Sequence, residues 1–201
     1  MDQKKEVYLL DTNAYFNFLR YATKALGDDD TFNETIEKIR DAECYISQVS
    51  LLEIISVLGK YSRGNSGGKE KCNCIIDEHG TICPNFKYTT KKNKWSKKRK
   101  KAWIKYFEEM KQGTSDILSI HVLPLDAITW AEAEKIIMLS LDFKFASMDA
   151  LIAATAKVAQ KNENMQQLKI ITSDKSLKTA LQICALPVWD AFKPTPTPAL
   201  T

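Results

Sequence analysis

The stretch that decides the fold lies near the N-terminus and reads Val7-Tyr8-Leu9-Leu10-Asp11-Thr12-Asn13. Four apolar residues run directly into an aspartate and two small polar residues. A short, uninterrupted apolar run of this kind predicts a buried strand of a parallel sheet. Asp11 then follows the carboxyl end of that strand, where open α/β sheets bind their ligands. The alternative is that Asp11 is only a turn residue, with Thr12 or Asn13 capping the next helix.

Two later stretches repeat this chemistry. The apolar run 168–171 passes through Thr172 and Ser173 into Asp174, so it predicts a second strand that ends at an aspartate. Asp149 lies in the first turn of an alanine-rich segment that strongly favours a helix. We expect Ser147 to be the N-cap of that helix.

Glu53 is the fourth acidic residue of interest. It is the one carboxylate in the interior turns of 47–58, a segment that is apolar almost all round. Such a pattern predicts a helix in the core. Because an ionised carboxylate is costly to bury alone, Glu53 requires a cation, a basic partner or an opening to solvent.

The order of elements predicts the fold class. Strands alternate with helices, including a helix at about 31–41, which indicates a three-layer α/β/α sandwich around a mostly parallel sheet. We expect a single domain over 1–192, with an inserted β-hairpin at about 62–94 and a basic helix at about 95–112. The Pro/Thr-rich tail, 193–201, is expected to be disordered.

Composition restricts the cellular environment. No run reaches the roughly 18 apolar residues of a membrane span, so we expect no membrane association. Five cysteines, an odd number, argue against a disulfide framework and favour a reducing compartment. The expected location is therefore cytoplasmic.

The insertion contains a predicted hairpin with a possible metal site. A pairing of Ile76 with Thr81 would set two cysteines opposite each other on one face. The candidate zinc ligands are Cys72, Cys74, His79 and Cys83. Because Cys-x-Cys is tighter than the usual spacing of structural zinc sites, the alternative is that these cysteines are reduced and serve as small apolar residues.

A concentrated basic segment follows the hairpin. Between Lys87 and Lys105 the chain has nine lysines and Arg99 but no acidic residue, so the remainder is net acidic. Such a segment predicts a polyanionic partner, and a solvated lysine-rich face is the alternative. Trp95 and Trp103 either stack on bases or pack inward. The candidate nucleic-acid contacts are Lys91, Lys92, Lys94, Lys97, Lys98, Arg99, Lys100 and Lys101.

Taken together, the acidic motifs resemble those of the PIN-domain nucleases. Four motifs of that family occur here in the family's order: Asp11-Thr12-Asn13, Ser50-Leu51-Leu52-Glu53, Asp149 to Ala156, and Thr172-Ser173-Asp174. The resemblance covers residues 6–61 and about 101–190. Within the family the chain looks most like the VapC-type toxins of toxin–antitoxin pairs, although the insertion departs from their compact pattern.

The resemblance implies a metal-dependent nuclease. Asp11, Asp149 and Asp174 would be ligands of Mg²⁺ or Mn²⁺, and Glu53 a ligand or the residue that orients the attacking water. Supporting roles would fall to Thr12, Asn13, Ser50, Thr172 and Ser173. Charge supports this, because two carboxylates about 4 Å apart repel by about 4 kcal/mol at an effective dielectric of 20, so a cluster of four requires cations.

The same resemblance implies partners. We expect an RNA substrate, an antitoxin that blocks the acidic site, and a homodimer. Three alternatives remain open at this point: a DNA- or structure-specific nuclease, a PIN-like RNA-binding protein with little catalysis, and a phosphatase-like hydrolase of small substrates.

Overall fold

The computed structural model describes residues 5–22, 36–37, 39–63, 69–71, 74–83, 86–88, 95–116 and 118–190. The chain divides into two compact units, the first formed by 1–54 with 102–201 and the second by 55–101. The tail 193–201 and most of the helix expected at 31–41 lie outside the described residues.

The described residues include seven strands and six α-helices, and residues 36, 37 and 39, within the helix expected at 31–41, are helical as well. The strands are β1 (Val7–Leu10), β2 (Glu43–Ser47), β3 (Lys69–Lys71), β4 (Phe86–Tyr88), β5 (Ile120–Leu123), β6 (Lys169–Ile171) and β7 (Val188–Trp189). The helices are α1 (Thr12–Ala22), α2 (Gln48–Arg63), α3 (Lys97–Lys111), α4 (Ala127–Met138), α5 (Ser147–Ala159) and α6 (Lys175–Ile183). Short 3₁₀ turns occupy Leu139–Leu141 and Glu163–Met165.

Five of the strands form the sheet of the first unit, in the order β5-β2-β1-β6-β7. Every neighbouring pair in it is parallel. All four residues of β1 are buried, as the apolar run predicts for a central strand. The chain builds outward from β1 through β2 to β5, then returns to the other side of β1 for β6 and β7. The strand order therefore reverses between β1 and β6, and the α/β prediction is confirmed.

Helices cover the sheet and complete the core of the first unit. Val7 and Leu9, which point to the same face of β1, belong to a cluster with buried residues of α4, α5 and α6. Elsewhere α1 packs against α3, where Phe16 stacks on Trp103 with ring centroids 5.4 Å apart. Trp103 exposes only 2% of its surface, so it packs inward and does not offer a base-stacking platform.

Helix α2 is less buried than the sequence predicted. It was expected to lie in the core, but only Val49, Ser50 and Ile54 are buried along it. Leu52 and Ile55 are 67% and 56% exposed. The expectation of burial all round was wrong because an outer-layer helix turns only one face toward the sheet, however apolar its other face is.

The second unit contains two small antiparallel pairings. Strands β3 and β4 pair with Lys69 opposite Tyr88. In the segment 74–83, Ile75 forms a bridge with Ile82, and the amide of Cys83 donates to the carbonyl of Cys74 at 2.8 Å. This is the predicted register, with those two cysteines opposite each other. No helix within the described ranges has both the length and the apolar character needed to cross a bilayer.

Candidate active site

Asp11 combines a turn role with deep burial at the end of β1. Its side chain accepts a hydrogen bond from the amide of Ala14 and so caps α1. Its own amide donates to the carbonyl of Ile171 at 3.2 Å, which extends the pairing of β1 with β6 by one residue. Asp11 exposes only 2% of its surface. The helix cap is therefore Asp11 itself, not Thr12 or Asn13.

Asp174 is placed beside Asp11 by the strand order. It caps α6 by accepting from the amides of Ser176 at 2.7 Å and Leu177 at 3.1 Å. The Thr172 hydroxyl donates to Asp11 and accepts from the amide of Asp174 at 3.0 Å. One buried threonine thus links the two aspartates that follow the two strands at the point of strand-order reversal.

Asp149 lies in the first turn of α5. Its carboxylate accepts from the amide of Ala146 at 2.8 Å, and Ala146, not Ser147, is the N-cap residue. The expectation of a serine cap was wrong because the aspartate reaches back to the cap amide, as the acidic residue of a capping box does. The Asp149 carboxylate is half-buried at the N-terminal end of α5.

Glu53 joins the group from α2. It accepts a hydrogen bond from the hydroxyl of Thr12, the residue after Asp11. Ser50, another predicted supporting residue, is fully buried. Its amide donates to the Ser47 hydroxyl at 3.0 Å, so Ser47 caps the start of α2. Asn13 is exposed on α1.

The four carboxylates interact electrostatically in pairs. Burial raises the pKa of Asp11 to about 6, against the hydrogen bonds from Thr172 and Ala14, and the nearby charges of Asp174 and Glu53 raise it further. Burial also raises the pKa of Asp149, again with a contribution from Asp174. Each acid thus interacts with at least one other, and the group would be strongly negative at neutral pH.

The donor set fits a hard divalent cation, because all four side chains offer carboxylate oxygens. None of the ion pairs found among the described residues involves any of the four. The acids are not, however, a ready-made cage. Among the residues that the structure describes, no three His, Cys, Asp or Glu side chains are arranged to hold a metal ion. The same observation gives no support to zinc at Cys74, His79 and Cys83; Cys72 lies outside the described residues.

The structure adds residues that the sequence interpretation missed. Asp190 directly follows β7, its carboxylate accepts from the Ser173 hydroxyl at 2.6 Å, and it forms an ion pair with Lys178. The signal was present, because Val188 and Trp189 form one more apolar strand that runs into an aspartate. Its length of two residues made it inconspicuous.

This arrangement of acids at the carboxyl edge of a parallel sheet agrees with the sequence comparison. The PIN domain family matches residues 8–180, which is most of the chain. The chain belongs to the PIN domain family. No curated protein matches the sequence.

Solved structures share the fold of this PIN domain at low sequence identity. A chain of FitAcB from Neisseria gonorrhoeae is 15% identical with a TM-score of 0.50, and 92% of this chain covers 98% of that one. DNA-bound VapBC from Salmonella typhimurium is 15% identical with a TM-score of 0.51, and the match covers 92% of this chain and 98% of that one. FitAB bound to the IR36 DNA fragment is 15% identical with a TM-score of 0.55, and the match covers 94% of this chain and 98% of that one. At these identities the similarity shows the fold alone.

The basic segment of the PIN domain is described only in part. Lys97, Lys98, Arg99, Lys100 and Lys101 form the first turns of α3, and most of them are exposed. Ser96 caps the helix, accepting from the amide of Arg99 at 3.2 Å. The Arg99 guanidinium lies 5.1 Å from the ring centroid of Trp95. Lys91, Lys92 and Lys94 lie outside the described residues.

Proposed function

We propose that this PIN domain is a metal-dependent endonuclease that hydrolyses RNA phosphodiester bonds. The observation that carries the proposal is the buried Asp11 carboxylate, whose pKa is raised to about 6 by burial, with further contributions from the charges of Asp174 and Glu53. Family membership supports it, because PIN domains are generally nucleases. A buried acid kept among other acids, when an apolar residue would pack there at lower cost, indicates a cation-dependent role.

The carboxylates divide the work by position. Asp11, Asp149 and Asp174 would hold Mg²⁺ or Mn²⁺, hard cations that prefer carboxylate oxygens. When bound, the metal supplies an activated water and neutralises charge on the phosphate oxygens. Glu53, held by Thr12, would orient the attacking water. Thr172 fixes the distance between two of the ligands by its contacts with Asp11 and Asp174.

The first turns of α3 support a nucleic-acid substrate. Five successive basic residues, 97–101, stand at the N-terminus of that helix, and its first turn has no acidic residue. The helix dipole makes cations unfavourable there, typically by 0.3–1 kcal/mol each. Phosphate groups of a bound nucleic acid would remove this repulsion and would also accept from the helix amides.

A toxin of a toxin–antitoxin pair is the biological role that this activity would serve. The fold relatives named above are VapBC, FitAcB and FitAB, and two of these structures contain bound DNA. By analogy, we propose a small antitoxin as partner and a homodimer as the assembly. The described cysteines, Cys44, Cys74, Cys83 and Cys184, are free thiols, which suits a cytoplasmic site of action.

The test is a cleavage assay on single-stranded RNA and the matched DNA strand, each with Mg²⁺ or Mn²⁺ and with EDTA. Wild type and Asp149→Asn are compared after circular dichroism has shown that both are folded. We expect RNA cleavage by the wild type alone, abolished by EDTA. Cleavage that persists in EDTA contradicts the metal mechanism, and preferential DNA cleavage transfers the proposal to the DNA-directed alternative.

A second assay tests the basic residues. The variant Lys97→Gln/Lys98→Gln/Lys100→Gln/Lys101→Gln is titrated with RNA at several salt concentrations. Each lysine–phosphate ion pair that the substitutions remove should lower the slope of log affinity against log salt by about 0.7. The control is Lys144→Gln/Lys161→Gln, two exposed lysines outside the basic segment. An unchanged slope in the α3 variant would mean that its lysines form a solvated surface only.

A further inference from the structure

Asp190 makes two close contacts at the edge of the acidic group. Its Oδ1 accepts from the Ser173 hydroxyl at 2.6 Å, and its Oδ2 is paired with the Lys178 ammonium. Only 15% of the Asp190 side chain and 21% of the Lys178 side chain are exposed. Both carboxylate oxygens are thus engaged by groups of the chain itself, so Asp190 is not poised to bind a metal directly.

The turn that carries Asp174 is held from two sides. The Thr172 hydroxyl donates to Asp11, which follows β1, and the Ser173 hydroxyl donates to Asp190, which follows β7. Strands β1 and β7 flank β6 on its two sides. The amide of Thr172 also donates to the carbonyl of Trp189 at 3.1 Å, so backbone and side-chain bonds tie the turn to the end of β7.

Lys178 compensates the negative charge of Asp190 next to the acidic group. It lies four residues after Asp174 on α6, and therefore on the same side of the helix. An unpaired Asp190 would add a further negative charge beside acids that already repel one another. The ion pair removes most of that charge while it leaves the Oδ1 acceptor available to Ser173.

We propose that Asp190, neutralised by Lys178, is a positioning residue that acts through Ser173 to hold the Asp174 carboxylate in its metal-binding place. This inference rests on the proposed function, since it concerns the same site. Nothing in the four family motifs includes Asp190 or Lys178. Their role follows from the contacts of β7 and α6 alone.

The experiment measures Mn²⁺ binding to the metal-free, folded protein by calorimetry, together with kcat and KM for RNA cleavage. The variants are Ser173→Ala, Asp190→Ala and the combination of the two. We expect each single variant to weaken Mn²⁺ binding by about tenfold, the usual scale for groups that orient a ligand. The value of kcat should fall while KM for RNA stays within about twofold, and the combination should be no worse than Asp190→Ala because both act through one bond.

Two further variants separate positioning from charge and from stability. Asp190→Asn/Lys178→Met keeps an oxygen acceptor for Ser173 and removes both charges, so Mn²⁺ affinity should return to within about threefold of the wild type. The control is Glu132→Gln, which breaks the ion pair with Lys157 at 2.8 Å between α4 and α5. It should lower thermal stability without changing Mn²⁺ affinity.

Each outcome decides a distinct point. If Ser173→Ala and Asp190→Ala lower only the melting temperature, as the control does, Asp190 is structural and the inference is overturned. If the losses of Mn²⁺ affinity in the two single variants add up in the combined variant, Asp190 does not act through Ser173 and the inference is overturned. If Asp190→Ala does not fold, Ser173→Ala, which removes one hydroxyl, decides alone. A wild type that binds Mn²⁺ but cuts nothing contradicts the proposed function while the binding data still test Asp190; a wild type that binds no Mn²⁺ overturns both.

Discussion

Asp11 and Asp126 are built from the same local pattern and differ in almost every physical property. Each lies shortly after a strand of the parallel sheet, β1 and β5 respectively, and each begins a helix. Asp11 accepts from the amide of Ala14, and Asp126 accepts from the amide of Thr129 at 2.8 Å. Both side chains are therefore helix caps of the same geometry.

Their electrostatic behaviour is opposite. Asp126 is exposed, and the backbone hydrogen bond from Thr129 lowers its pKa. Burial raises the pKa of Asp11 to about 6, and the charges of Asp174 and Glu53 add to that shift. The difference is one of place in the sheet, because β1 is central and adjoins β6, whereas β5 is an edge strand. Asp126 therefore provides a matched control for every property assigned to Asp11.

The largest expected effect is on catalysis. Asp11→Asn should lower kcat/KM for RNA cleavage by at least about a hundredfold, because metal-assisted charge stabilisation is worth several kcal/mol and each 1.4 kcal/mol is a factor of ten. Asp126→Asn should retain activity within about twofold. Asparagine is itself a good N-cap residue, so both helices should stay intact. Equal losses in the two variants would remove the distinction between them.

The next effect is on the pH dependence of stability in EDTA. The folded pKa of Asp11 lies above its ordinary 3.8, so the folded state retains that proton longer than the unfolded state. The free energy of unfolding should therefore fall as pH rises from about 4 to 6, by about 2 kcal/mol from this residue. Urea unfolding at pH 4 to 7 should show a much smaller fall for Asp11→Asn.

Asp126→Asn should change that pH profile in the other direction. The pKa of Asp126 is lowered, so its ionisation stabilises the folded state as pH rises through the ordinary range of the carboxyl. Its removal should make the fall with pH slightly steeper than in the wild type. Parallel profiles for the wild type and Asp11→Asn would show that the buried carboxylate is not a source of strain.

Metal addition should offset the loss of stability that ionisation of the buried Asp11 carboxylate causes. Mn²⁺ at ten times its dissociation constant should stabilise the wild type by about 1.4 kcal/mol, seen as a saturable rise in melting temperature. Asp126→Asn should show the same rise, and Asp11→Asn and Asp174→Asn little or none. A rise of equal size in all variants would indicate binding elsewhere on the chain.

The smallest expected effect concerns the threonines that contact the two caps. Thr172 donates to Asp11, and the Thr129 side chain bonds to Asp126. Thr172→Val should destabilise the protein by about 1 kcal/mol. It should also weaken Mn²⁺ binding, because Asp11 loses a donor and Asp174 loses the acceptor of its amide. Thr129 is also buried, and Thr129→Val should alter stability without changing Mn²⁺ binding. If Thr129→Val weakens Mn²⁺ binding as much as Thr172→Val does, the effect of Thr172→Val on the metal site is not local.

Local chemistry made several features predictable. The hairpin register, with Cys74 opposite Cys83, follows from the length of the turn between the paired segments. The burial of β1 follows from its apolar run. The expected N-cap at Ser147 was wrong by one residue: the helix begins at Ser147, and Asp149, its third residue, accepts from the amide of the N-cap Ala146.

The exposure of α2 was not predictable in the same way. Apolar residues on all sides predict a core helix, but Leu52 and Ile55 face outward in this chain. Burial depends on how many layers cover a helix, and a sequence pattern does not state that number.

The sequence alone determined the α/β class, the order of the four acidic motifs and their place after strands or at helix starts, because these depend on residues close together in the chain. Only the tertiary structure decided which aspartates meet. Parallel strands pair across long connections, so the adjacency of β1 and β6, which joins Asp11 to Asp174 and leaves Asp126 at the edge, is set by packing over more than 150 residues. The same long-range pairing brings Asp190 and Lys178 to Ser173.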